Sequence, residues 1–304
     1  MPSLVNKFST QKSDNLNNIE DHKIRKVFIF GASGFIGNKL NKYLETKHKT
    51  VTVGRNEEDI YYDLLSSDPE ILSTIISEGD VWVFLAAISS PEKCAELSET
   101  AMDVNVVKTI QLIEWLTKRY IKVIYSSSDA VFGNKNYICS DYEELDSYGD
   151  YGFMKEQVEN AVSHNHLVKV IRFSYVLDKE DKFTRMLYDA EKSGLTVDIF
   201  KGFERNIVLL QDVLVGIENL INKWEELDFY VTNFSGPELL SRQDLVKTLK
   251  DYVMHNLKFT LSEASESFWK NRAKSIATDN INFTKILGHK PQKIFTIKEI
   301  WKDE

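Results

Sequence analysis

Cysteine is scarce in this sequence: there are two among 304 residues, Cys94 and Cys139, and no ligand spacing relates them. That excludes a disulfide framework and a cysteine-built metal centre, and it fits reduced thiols in a reducing compartment. Proline occurs five times and never in a cluster, so no stiff linker or stalk is encoded. No apolar run approaches the roughly 20 residues of a membrane span. Among the six histidines, His164 and His166 have no carboxylate or cysteine at ligand spacing, so no metal is expected. Lys and Arg number 38 against 46 Asp and Glu, giving a net charge of −8. This deficit excludes the clustered positive surface that a nucleic-acid partner requires. Residues 1–22 are polar and lack the apolar middle of a signal peptide; they read as a disordered extension. The expectation is a cytoplasmic protein with neither a membrane nor a nucleic-acid partner.

Against these absences, 42% of the residues are hydrophobic, enough for one large domain or two coupled ones. From Lys23 onward short apolar runs alternate with helix-period segments. Strands are expected over Lys26–Phe30, Val51–Val53, Val81–Ala87, Lys122–Ser126 and Val168–Phe173. Helices are expected over Phe35–Leu44, Ala101–Arg119 and Tyr151–Val162. This alternation predicts an α/β fold, a Rossmann-type doubly wound parallel sheet covered on both faces by helices. Residues 23–176 would form the dinucleotide-binding domain. Residues 177–304 would form mainly a smaller substrate-binding lobe, with a segment of about 205–235 returning to the sheet. There the expected helices are Phe183–Ser193, Gln211–Trp224 and Ser241–Met254, and the isolated strands are Leu195–Phe200 and Phe229–Asn233.

The first strand runs into Gly31-Ala32-Ser33-Gly34-Phe35-Ile36-Gly37, a G-x-x-G-x-x-G turn at a strand-to-helix junction. Glycines permit the tight turn and the close approach of a phosphate to the backbone. The helix that follows aims free N–H groups and its positive dipole end at a diphosphate. The second strand ends Val53-Gly54-Arg55, where an NAD-selective domain usually carries an acid for the ribose 2′-hydroxyl. An arginine there pairs with a 2′-phosphate, so NADP(H) is favoured and NAD(H) is the alternative. Asp63, followed by Leu64, sits where a side chain reaches the adenine amine. The run Glu57-Glu58-Asp59 reads as a solvated turn.

A serine run, Ser126-Ser127-Ser128, closes the strand near Tyr125, and one helix later come Tyr151 and Lys155. Tyr and Lys four apart share a helix face. A free phenol titrates near 10, too high for efficient acid–base work, and a nearby ammonium lowers that value by favouring the phenolate. A serine hydroxyl orients the reacting oxygen. Together these three groups serve proton transfer at an alcohol or ketone carbon.

With these residues in view, the chain resembles the extended short-chain dehydrogenase/reductase family over roughly Lys23 to Pro237. The resemblance rests on Gly31 to Gly37, Leu85-Ala86-Ala87, Asn105-Val106, Ser126 to Gly133, Tyr151 to Lys155 with Glu159, Arg172-Phe173 and Asn233 to Pro237. It implies a catalytic Ser128, Tyr151 as general acid/base and Lys155 on the cofactor ribose. It adds Leu64, Leu85, Ala86, Ala87, Asn105, Ser126 and Phe173 to the cofactor set. Ser89, Ser174 and Arg205 would meet the substrate, with Arg205 on its diphosphate. The family's substrates are nucleotide-diphosphate sugars, and a homodimer through helices Ala101–Arg119 and Tyr151–Val162 is implied. The segment Ala86 to Glu96 and Val131-Phe132-Gly133 are similar to the dTDP-4-dehydrorhamnose reductase branch, whereas Phe35-Ile36 is more typical of epimerases and dehydratases. Ser128 is followed by Asp129 and Ala130 rather than the Asp-Glu pair of the 4,6-dehydratases, which argues against dehydration. The expectation is NADPH-dependent reduction of a 4-keto-6-deoxy sugar; a 4-epimerase with retained NAD and a non-catalytic NADP-binding regulator are the alternatives.

Overall fold

A computed structural model describes residues 26–301. The expected extension, residues 1–22, lies outside the described residues. Seven parallel strands form the main sheet, in the order Val231–Phe234, Val168–Phe173, Lys122–Ser128, Val81–Phe84, Val27–Phe30, Thr50–Gly54 and Ile60–Tyr61. Val27–Phe30 is central, paired in register with both flanks: Phe30 lies opposite Val53 and opposite Phe84. The chain winds outward from it in both directions, which opens a crevice at its carboxyl end.

Burial on both faces explains the unbroken apolar runs of the central strands. Phe28, Phe30, Trp82 and Phe84 point to one face, where Phe28 stacks on Trp82 with ring centroids 5.1 Å apart. Val27, Ile29, Val81 and Val83 point to the other, beneath helices Phe35–Leu44 and Leu210–Asn222.

The first half departs from expectation in two places. The strand from Val81 ends at Phe84, not Ala87. After Leu85 N–H bonds the Phe30 carbonyl, the chain leaves the sheet and lies against the glycine turn. The expected helix Ala101–Arg119 is helical from Ser98 to Thr117 but passes through a π segment at Asp103–Lys108. There Thr109 Oγ1 donates to the Val104 carbonyl at 2.8 Å, and Asn105 turns inward. The apolar periodicity survives such a bulge, so the sequence hides it.

The C-terminal strands are paired, not isolated. Thr196–Phe200 runs parallel to Lys258–Ser262, and Val231–Phe234 is the edge strand of the main sheet. A second sheet orders Glu238–Ser241, Glu204–Leu209, Ser275–Thr278 and Ile138–Cys139, with Tyr175–Leu177 also on Glu204–Leu209. Helix Lys182–Ser193 is capped by Asp181 and ends at left-handed Gly194. A third apolar cluster, centred on Leu187, Ile207, Val246 and Leu249, fills this lobe.

One buried ion pair ties the Asp150–Val162 helix to the main sheet. Arg172 Nε and Nη2 donate to the Glu159 carboxylate at 3.0 and 2.6 Å, while Nη1 donates to the Asp141 carbonyl at 2.8 Å. Both side chains are almost fully buried. Removing one partner strands the other charge, so Glu159→Ala should cost about 3–5 kcal/mol of stability. The measurement is the midpoint of urea unfolding; an unchanged midpoint would show the pair to be energetically idle.

Candidate active site

The glycine turn places backbone against backbone. Gly31 sits at φ +92°, and a Cβ there would lie 2.8 Å from the Ala86 nitrogen. A Cβ on Gly37 would lie 2.2 Å from the Gly31 carbonyl oxygen. Only glycine allows the Phe35–Leu44 helix to start this close to the strand. Gly34, its N-cap residue, offers no side-chain cap, which leaves first-turn N–H groups for an anion. This cradle, which any side chain would fill, fits the diphosphate of a dinucleotide.

From the cradle one groove of about 1160 Å³ runs across the carboxyl edge of the sheet. Arg55, Asp63 and Leu64 line one end. Leu85, Ala86 and Ala87 line the middle, and Ser126, Ser128, Tyr151, Lys155 and Phe173 line the far wall with Ser89 and Ser174. Asn105 does not reach it. Its Oδ1 accepts from Ile88 N–H at 2.8 Å and its Nδ2 donates to the Ile88 carbonyl at 2.9 Å, so it braces the groove's loop from behind. Arg205 lines an adjoining pocket shared with Ser89, Ser128, Tyr151 and Ser174. Its guanidinium is already committed: Nη2 donates to the Ala273 carbonyl at 2.8 Å, Nη1 to the Glu204 carbonyl at 2.6 Å, and Nε lies 3.6 Å from Asp129.

Sequence reasoning missed Glu58. Its carboxylate folds back under Gly54, where a Cβ would meet Oε1 at 2.4 Å, and Oε2 accepts from Asn56 N–H at 2.6 Å. Oε1 makes no hydrogen bond within normal geometry to a described residue, yet against the effect of burial the Ser33 hydroxyl and the Asn56 and Ser33 N–H groups hold this carboxyl below its ordinary range. Asn56 Nδ2 in turn donates to Ser33 Oγ at 3.1 Å. Arg55 is 69% exposed and 3.9 Å from Asp63. A carboxylate and a guanidinium thus stand together at the end of the second strand. The four-residue offset of Glu58 from Gly54 hides this in the sequence.

Ser128, Tyr151 and Lys155 do converge, but their electrostatics differ from expectation. Lys155 is 2% exposed; its Nζ donates to the Ser126 carbonyl at 2.7 Å and the Tyr125 hydroxyl at 3.2 Å, and lies 5.8 Å from the Tyr151 ring centre. Burial brings its ammonium down to about 8. The Tyr151 phenol is not lowered; burial pushes it well above its ordinary range, with Cys94 and Asp129 adding to the rise. Desolvation outweighs the lysine because the ammonium is held by Tyr125 and Ser126. Ser128 Oγ accepts from Ala130 N–H at 3.2 Å and donates to Asp129 at 3.3 Å. Ser174 Oγ also donates to Asp129, at 3.0 Å, and burial raises the Asp129 carboxyl despite Arg205.

Among known families, the model described as the RmlD substrate binding domain matches residues 25–203. The chain belongs to this family. A curated relative, N-acetyl-alpha-D-glucosaminyl-diphospho-ditrans,octacis-undecaprenol 4-epimerase of Escherichia coli O157:H7, is 27% identical over 143 residues. That match covers 45% of this chain and 42% of the relative, so the chain spans under half of that protein's length in the comparison. The solved structure of a hypothetical dTDP-4-dehydrorhamnose reductase from Sulfolobus tokodaii superposes with a TM-score of 0.78 at 21% identity. It covers 89% of this chain and 97% of that one. UDP-glucuronic acid 4-epimerase from Bacillus cereus, in complex with UDP-glucuronic acid and NAD, superposes at 0.73 with 20% identity, over 89% and 95% of the two chains. These superpositions establish the shared fold.

Gly37→Ala forces a methyl into the Gly31 carbonyl, and either the turn or the helix must shift. Dinucleotide binding is expected to weaken by about tenfold or more, with a stability loss of about 1–3 kcal/mol. Fluorescence titration with NADPH and NADH measures the first; wild-type affinity in this variant would show that the cradle is not the phosphate site.

Proposed function

We propose that this protein is an NAD(P)-dependent oxidoreductase acting on a nucleotide-diphosphate sugar, and that it reduces a 4-keto-6-deoxy sugar with Tyr151 as proton donor. The observation that carries this reading is the meeting of Ser128, Tyr151 and Lys155 on one wall of a glycine-cradled groove. Bound there, the nicotinamide supplies hydride to the ketone carbon. Tyr151 gives its proton to the oxygen as the carbonyl becomes an alcohol. Burial keeps the phenol protonated at neutral pH, so the proton is there to give, while the same rise makes it a weaker acid than a free phenol and leaves its transfer dependent on the groups placed around the product phenolate. The Lys155 ammonium stabilises the phenolate left behind, and Ser128 orients the substrate oxygen.

Arg55 favours NADP(H) through a 2′-phosphate. Glu58 supports a second reading. A buried carboxylate oxygen that makes no hydrogen bond within normal geometry to a described residue suits a ribose hydroxyl and repels a 2′-phosphate, which favours NAD(H) and with it a 4-epimerase that retains its cofactor. Incubation with NADPH or NADH and a panel of dTDP-, UDP- and GDP-linked 4-keto-6-deoxy sugars separates the two. The reductase consumes reduced cofactor in proportion to product; the epimerase carries NAD through purification and consumes none. Tyr151→Phe is expected to lower kcat by about 10²–10⁴-fold while cofactor affinity stays at the wild-type value. Full activity in that variant would remove Tyr151 from the chemistry.

Lys155 sets a pH dependence. Its ammonium is charged below about pH 8 and neutral above, because burial lowers it from the ordinary lysine value. NAD(P)H affinity, followed by fluorescence on either side of that value, should therefore fall as pH rises through it. Lys155→Met should bind weakly with no such step. A wild-type affinity flat across the range would contradict a charged Lys155 in cofactor binding.

A further inference from the structure

Three arginines gather at the end of the groove beyond Tyr151. Arg205 and Arg242 both lie against the Phe203 ring, at 4.4 and 4.7 Å from its centre, and Arg242 and Arg272 both lie against Phe268, at 5.9 and 4.6 Å. Two of the charges are balanced inside the protein. Arg205 faces Asp129, and Arg272 is paired with Glu92. The guanidinium of Arg242 makes no hydrogen bond and no ion pair within 4 Å to a described residue; burial lowers it, and Tyr175 and Asp181 attract it only from further away, against the repulsion of Arg272 and Arg205. The one nearby carboxylate on the adjoining helix cap, Asp181, is spent on Tyr175 Oη, Thr184 Oγ1 and the Phe183 and Thr184 N–H groups.

This unpaired cation is nevertheless held in place. Phe183 supplies a third ring, 4.6 Å away. Aromatic faces fix a guanidinium plane by cation–π attraction while its N–H edges stay free. The turn that carries Phe203 is itself strained: Gly202 and Phe203 have φ of +73° and +59°. A left-handed Phe costs about 1–2 kcal/mol, and its conformation sets its ring between Arg205 and Arg242. Arg242 N–H bonds the Gly202 carbonyl, which locks the helix start to the same turn. A positioned five-donor cation, surplus in a chain of net charge −8, lines the groove that also holds Ser128 and Tyr151.

We propose that Arg242, held by Phe183, Phe203 and Phe268, is the residue that grips the diphosphate of the nucleotide-linked substrate, in place of the internally committed Arg205. The assignment rests on the nucleotide-sugar reading above and names the residue that enforces it. A planar fork matches two phosphate oxygens at once, and the aromatic rack removes the entropy cost of holding it there.

The test is isothermal titration of UDP, dTDP, GDP, ADP and CDP, each beside its nucleoside, into the full-length protein with NADPH or NADH at saturation. At least one diphosphate should bind wild type at least tenfold more tightly than its nucleoside. Arg242→Gln should lose tenfold or more of that affinity, with nucleoside and cofactor affinities unchanged. Arg242→Lys keeps the charge but not the fork, and should fall between; it also serves if the Gln variant fails to bind cofactor. A diphosphate affinity equal to wild type in either folded variant overturns the Arg242 assignment and leaves the substrate class standing. No diphosphate binding by wild type overturns the substrate class and the assignment together.

Discussion

The structure depends on a contact between backbones. Gly37, on the first turn of its helix, rests on the Gly31 carbonyl, and Gly31 rests on the Ala86 nitrogen. No side chain intervenes at either point. The contact fixes the helix on the central strand and presses the loop after Phe84 onto the same turn. It thereby sets the floor of the groove and the spacing between the glycine turn and the wall that carries Ser128, Tyr151 and Lys155. Because parallel strands are buried on both faces, the carboxyl edge of the sheet is where backbone and side chains meet a ligand. The close approach decides how deep that ligand lies.

Above this floor, charge is handled by desolvation and pairing. Glu159 satisfies Arg172, Asp129 offsets Arg205, and Tyr125 with the Ser126 carbonyl holds Lys155. Each group is buried, and each unpaired charge would cost several kcal/mol. Along the groove the Tyr151 hydroxyl, the Ser127 hydroxyl and the Arg242 guanidinium make no hydrogen bond to a described residue. All three residues line it. Unmet bonding capacity there marks where a ligand makes its contacts.

Much of the first half was legible in the sequence, for a physical reason. Central parallel strands are continuous apolar runs, and the glycine turn, the serine run and the Tyr-x-x-x-Lys pair are local spacings that survive without tertiary knowledge. In the second lobe the helices were legible, as Lys182–Ser193, Leu210–Asn222 and Arg242–Tyr252 fall where their spacing put them, but the strand pairing was not. Ile138–Cys139 is a two-residue strand, too short to show a period, and its partner Ser275–Thr278 lies far along the chain. Asn105 sits where the family pattern carries an asparagine, yet the π segment aims it at Ile88. Arg205 also matched by position and lines the pocket beside Ser128 and Tyr151, but only tertiary contacts reveal that most of its donors already serve backbone carbonyls. The expected lowering of the Tyr151 phenol failed for a similar reason: helical spacing gives proximity, whereas the sign of a shift depends on where the ammonium's own hydrogen bonds go.

That hidden pairing has a mechanical consequence. The chain leaves Ser128 through the short helix Asp129–Phe132 and left-handed Gly133, where a Cβ would lie 2.0 Å from the Asp146 carbonyl oxygen. It then enters the second sheet at Ile138–Cys139, against Ser275–Thr278, which pairs with Glu204–Leu209. The strand carrying Arg205 is thus joined by backbone hydrogen bonds to the segment that begins at Ser128, and Arg272 lies three residues before Ser275. Both lobes meet without a linker between Ser128 and the arginine end. Strand pairing therefore fixes the distance from Ser128 to the arginine cluster, so any ligand that reached both would be held against one hydrogen-bonded sheet.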